Sequence, residues 1–142
     1  MDKVEILILR NLLYNEEYLR KVIPFIKKDY FEDLNQRVIF EEVLNFVEKY
    51  NEPATKEILC IEVEKRSDIN DTSFTEVTKI ISYLENEVSD LDWIIDTTEK
   101  WCRDRAIYLA LMESIQLADG KDETKGRDAI PTILSDALAV SF

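Results

Sequence analysis

From Asp92 to Asp119 the chain runs without a glycine or a proline. A stripe of Leu91, Ile94, Trp101, Tyr108, Met112 and Ile115 threads this stretch, with Cys102 and Leu109 on its shoulder. Such spacing is the period of a helix face and not of a strand. A helix of that length runs roughly 40 Å, against about 30 Å for the diameter of a domain this size. It must therefore span the domain or project from it. Ile107, Leu111 and Ala118 fall on a second face. A helix with two apolar faces needs two partners. It is either the central helix of a bundle or an arm, packed on its own chain on one side and on another subunit on the other; the arm is the favoured reading.

The rest of the chain reads as shorter helices. Asp2 to Leu13 forms the first, with Ile6, Leu9, Leu12 and Leu13 inward. Asn15 can cap the second, and Pro24 breaks it. Phe25, Ile26, Tyr30 and Phe31 then line an elbow around Lys27 and Lys28. Leu34 to Tyr50 follows, with Phe40, Val43, Leu44 and Val47 as its tight stripe and Val38, Ile39, Phe46 and Tyr50 widening it. After a turn at 51–54, Thr55 can cap a helix over Lys56 to Lys65. Ser73 with Glu76 fits a capping box for the next. The polar run from Asn86 to Asp90 is the expected boundary, giving a globular part over 1–88 and a hairpin over 89–142. Gly120 and Gly126 flank a charged linker, Lys121 to Lys125, which is helix-stop chemistry. A last helix from Asp128 tolerates Pro131 in its first turn. Two helices joined so briefly fold back as an antiparallel hairpin. The fold class is therefore all-α: a small helical bundle followed by a long antiparallel helical hairpin. The second arm is too short to cover the first, so Trp101, Tyr108, Leu111 and Met112 are expected to stay uncovered, as an interface. Ile115 continues that stripe. Arg105 within it either pairs with an acid across the interface or runs past Tyr108 to solvent. The ending is apolar up to Phe142, so it is either docked or a cut within a longer protein.

Charge narrows the function classes. The chain of 142 residues carries 30 acids and 18 bases, a net charge of -12. Non-specific nucleic-acid binding is mostly attraction to phosphates, which this charge opposes. An acidic surface suits solubility or a basic protein partner instead. No run of apolar residues is long enough to cross a membrane as a helix, and the N-terminus lacks a signal peptide's pattern. Cys60 and Cys102 sit apart on apolar faces, as free buried thiols do.

Catalytic chemistry is not legible. There is no histidine, hence no imidazole base and no common zinc site. No Gly-rich phosphate loop occurs. Glu87, Asp90 and Asp92 are better read as solvated acids than as a magnesium site. On residue chemistry alone, the chain is an assembly or docking module with no bound cofactor and no catalytic group.

An ordered set of segments carries a resemblance. Val4 to Tyr18, Val22-Ile23-Pro24-Phe25-Ile26, Asp29-Tyr30-Phe31 and Val38-Ile39-Phe40 resemble the opening of the N-terminal domain of DnaB-type replicative helicases, in the form found in T4-like phages. Asn51 to Thr55, Trp93, Thr98-Glu99-Lys100, Arg105-Ala106, Ala129-Ile130-Pro131 and Ser135 to Phe142 continue it, so the resemblance covers the whole chain. It implies a non-catalytic collar domain above a ring of six ATPase domains. The collar would self-associate through its hairpin as a dimer or ring and dock primase and a helicase loader. Unwinding, with ATP and Mg, would belong to a following domain of the parent protein, in the cytoplasm of a phage-infected bacterium. A free-standing helical adaptor that docks a replication protein is the alternative. A small helical hydrolase using carboxylates and a metal is a third reading.

Overall fold

The computed structural model describes residues 3–121 and 125–142, and among them every regular element is helical. The expected start at Asp2 and the middle of the expected linker, 122–124, lie outside the described residues. The chain divides into two units, Met1–Ile95 and Asp96–Phe142.

The first unit contains α1 (Lys3–Tyr14), α2 (Glu16–Val22), α3 (Leu34–Tyr50), α4 (Lys56–Glu64) and α5 (Asp71–Ser82). Short polar side chains start four of them by accepting backbone amides that the helix leaves free. The Asn15 side chain accepts from the Tyr18 amide at 3.2 Å. Asp33 accepts from Asn35 and Gln36, at 2.8 and 3.1 Å. Thr55 accepts from Ile58 at 3.2 Å. The capping box expected at Ser73 is not formed. Asn70 caps α5 instead, accepting from the Ser73 amide at 2.8 Å. Starting there adds a turn to α5, and the Phe74 amide already bonds the Asn70 carbonyl at 2.9 Å.

Helix ends are equally local. Helix α2 stops at Val22, with Ile23 as its last cap residue before Pro24. Asn51 ends α3 in the left-handed region, at φ 56°, where Asn is among the few residues at ease. Arg20 fixes this corner by donating to the Asn51 side-chain and backbone oxygens, at 3.0 and 2.9 Å.

The core forms where α3 meets α1, α4 and α5. Ile8, Leu9, Leu12, Tyr18, Ile39, Phe40, Val43, Leu59, Val63 and Val77 are completely buried. The Phe31 and Phe40 rings lie 5.2 Å apart, tilted by 30°. The tight stripe expected on α3 is narrower than its sequence suggests. Leu44 and Val47 are only half-buried, and Tyr50 is exposed. On α1 the inward face includes Ile8 and leaves Ile6 half-buried. The elbow after Pro24 turns Ile26, Tyr30 and Phe31 inward while Phe25 stays exposed.

The polar connection that follows α5 is tied to α1. Asn11 is fully buried. Its amide nitrogen donates to the Leu7 carbonyl at 2.8 Å and to Ser89 Oγ at 3.1 Å, while its oxygen accepts from the Ser89 amide at 3.0 Å. The Tyr14 hydroxyl donates to the Leu84 carbonyl at 3.0 Å. A buried amide is tolerated when its donors and acceptor are used. Just beyond, α6 (Leu91–Ala118) begins, so the division between units at Ile95 falls inside this helix.

Candidate self-association surface

Asp90 starts α6 by accepting from the Trp93 amide at 2.9 Å. At the far end the Gly120 amide bonds the Leu117 carbonyl at 3.0 Å, and the Lys121 amide bonds the Gln116 carbonyl at 2.9 Å. That pair of bonds is a Schellman cap, which needs a left-handed residue. Gly120 supplies it, at φ 69°.

The chain returns through a 3₁₀ turn over Arg127–Ala129 into α7 (Ile130–Leu138). Pro131 sits in the first turn of α7, as expected. No side chain caps this helix, because the 3₁₀ turn leads directly into it. Contacts along the second unit run in antiparallel order. Lys125 Nζ meets Glu113 at 3.0 Å, and Arg127 Nε donates to the Ala118 carbonyl at 3.1 Å. Arg103 Nε donates to the Val140 carbonyl at 2.9 Å, and the Phe142 amide to Glu99 at 2.6 Å. The apolar end is thus hydrogen-bonded to α6.

These contacts define the face of α6 that serves its own chain. Glu99, Arg103, Ala110, Ser114 and Leu117 recur at steps of three, four or seven residues, and the last three are buried. Ala137 of α7 is buried too. This face is small and polar, which is why an apolar-period reading passed over it.

The large apolar residues lie elsewhere. Tyr108 is 50% exposed, Leu111 49%, Met112 44% and Ile115 52%. Tyr108 and Leu117 are nine residues apart, about two and a half turns, so the open stripe and the covered face are on opposite sides. Arg105 places its guanidinium carbon 4.9 Å from the centre of the Tyr108 ring, a cation–π arrangement. One expectation is corrected here. Trp101 is only 8% exposed and does not belong to the uncovered stretch, which begins at Tyr108. On the second apolar face Leu111 is exposed, as expected of the uncovered surface, Ala118 is exposed too, and Ile107 is half-buried. A stripe read from period alone shows which residues share a side, not where along the helix the cover stops.

Cys102 is fully buried. Burial, reinforced by Glu99, pushes its thiol pKa up to about 12. Cys60 is half-buried, and its thiol is raised mainly by burial. Among the described residues no group of three or more potential metal-ligating side chains stands together. Of the acids Glu87, Asp90 and Asp92, all exposed, Glu87 faces Arg10 at 3.7 Å and Asp90 caps α6. No helix among the described residues is long and apolar enough to cross a membrane.

No family model matches the chain. The chain is 28% identical over 144 residues to a DnaB-like replicative helicase of Enterobacteria phage T4, a match that covers 96% of this chain and 30% of that protein. It is homology to a replicative helicase over most of the chain. The chain spans less than a third of the length of that relative, and its all-helical architecture is what the resemblance implied.

Proposed function

We propose that this chain is the non-catalytic N-terminal collar domain of a hexameric replicative DNA helicase. It associates with other subunits through the hairpin of α6 and α7, as a dimer or as a collar of six, and offers the collar for docking primase and a helicase loader. The parent protein couples ATP hydrolysis, with Mg, to DNA unwinding through a domain outside these 142 residues. One observation carries the reading: the chain is similar along 96% of its length to 30% of a replicative helicase. The open stripe of Tyr108, Leu111, Met112 and Ile115 supports the association half. Contiguous apolar surface of this kind is typical of protein contacts, and aromatic and Met side chains are common at their centres. Two hairpins pairing by two-fold symmetry bury it in a four-helix arrangement. Arg105 and Tyr108 stand at its edge.

The test replaces Leu111 and Met112 together with Glu. A carboxylate in an apolar contact must be desolvated or must break it. Sedimentation is expected to give the unmodified chain above monomer mass and the double variant at monomer mass, with the same helix content by circular dichroism. A monomeric unmodified chain at high concentration would defeat the association reading and favour the free-standing adaptor. Neither ATP hydrolysis nor tight binding of single-stranded DNA is expected of these residues, given the missing Gly-rich phosphate loop and a net charge of -12 that repels phosphates.

A further inference from the structure

The elbow between α2 and α3 departs from the charge of the rest of the chain. Between Glu17 and Asp29 stand Arg20, Lys21, Lys27 and Lys28, and no acid at all. All 30 acids lie outside this window, against the other 14 of the 18 bases. Arg20 is engaged, 3.5 Å from Glu16. Lys21, Lys27 and Lys28 are exposed, and none of them pairs with an acid among the described residues.

The backbone here is held in two tight turns. The Phe25 amide bonds the Val22 carbonyl at 2.9 Å, and the Tyr30 amide bonds the Lys27 carbonyl at 3.0 Å. Burial sorts the elbow into two sides. Val22, Ile26, Tyr30 and Phe31 anchor it in the core, while Pro24 and Phe25 stay outside among the three lysines. Phe25 is 37% exposed and stands in the sequence between Lys21 and Lys27, on an elbow whose inner side is part of the core.

We propose that this elbow docks a short acidic peptide segment of a protein partner, with an apolar side chain of that segment set against Pro24 and Phe25. Charge complementarity selects the partner. Three unpaired lysines attract carboxylates, and complementary charge sets specificity and encounter rate. The patch is also too local for nucleic acid. A phosphate backbone longer than the elbow would leave it for a surface of strongly negative charge, where each further phosphate is repelled. A short peptide ends before that. The proposal does not rest on the hairpin or on self-association.

The test uses the full chain and three fluorescent probes: a short Asp/Glu-rich peptide with one central Phe, the same peptide with Ala there, and single-stranded oligothymidylate. The Phe peptide is expected to bind, with affinity falling as salt rises, because exposed charge pairs are screened. Lys27→Glu with Lys28→Glu should weaken it by roughly tenfold or more. The Ala peptide should bind several-fold more weakly at every salt concentration. Amide chemical shifts of the unmodified chain provide an independent readout should the double variant fail to fold, and on addition of the Phe peptide they should move within residues 21–28. Absence of peptide binding, shifts confined to other residues, a folded double variant that binds as before, or tighter binding of oligothymidylate would each overturn the proposal.

Discussion

The two units differ in how far their large apolar side chains close a core. In Met1–Ile95 a set of bulky residues closes a core: Tyr18, Phe31, Phe40, Leu59 and Leu84 are fully buried, although Leu34, Tyr50, Tyr83 and Trp93 stay exposed. In Asp96–Phe142 much of what is buried is small, such as Ala110, Ser114 and Ala137, while Tyr108, Leu111, Met112, Ile115 and Leu138 stay between 44% and 65% exposed. Burial of apolar surface is the main favourable contribution to folding. The first unit therefore closes its own core. The second has surface left over, and its hydrogen bonds along the hairpin define a shape more than they bury area.

That contrast can be broken most directly at Phe40. Phe40→Ala should cost about 3 to 5 kcal/mol, the usual range for emptying a large aromatic site. In the second unit Leu111→Ala, studied below the association concentration, should stay within about 0.5 kcal/mol, as exposed sites usually do. Urea unfolding of both variants measures the difference. Equal losses would show that the two units do not differ in this way.

The turn of the hairpin gives a smaller effect. A Cβ at Gly120 meets nothing within 4 Å, so only the backbone at φ 69° resists substitution. Gly120→Ala should cost about 1 kcal/mol, the penalty of a left-handed residue with a Cβ. Thermal unfolding of the variant checks it. An unchanged midpoint would mean that the cap does not limit stability.

The thiols give the smallest effect. With Cys102 raised to about 12 by burial and Glu99, a thiol reagent near neutral pH should label Cys60 first and Cys102 only on unfolding, since the thiolate is the reactive form. The sign of the linked stability follows. Below the ordinary thiol pKa of 9 both states hold the proton. As pH rises from there toward about 12, the unfolded thiol ionises first and stability is lost. A Cys102→Ala variant should show a shallower alkaline decline in an unfolding titration.

The hairpin reading shows where sequence patterns are informative and where they stop. Asn15, Thr55, Pro24 and Gly120 acted as read, because each works through a backbone group within four residues along the chain. Asn11 was not singled out. Its role depends on Ser89, 78 positions away, and no local pattern distinguishes a buried amide from an exposed one.

By itself, the sequence determined the helices, most of their ends and the presence of two sides on α6. Those follow from hydrogen bonds and caps that close within a turn or two. Only the tertiary structure decided which side the chain covers for itself, that Trp101 is inside and that the open stripe begins at Tyr108. The physical reason is that apolar attraction has no direction. A stripe records that a surface gains from burial and carries no record of what buries it. That choice fell to the returning segment, whose bonds to Glu99, Arg103, Glu113 and Ala118 fix it on the small, polar face.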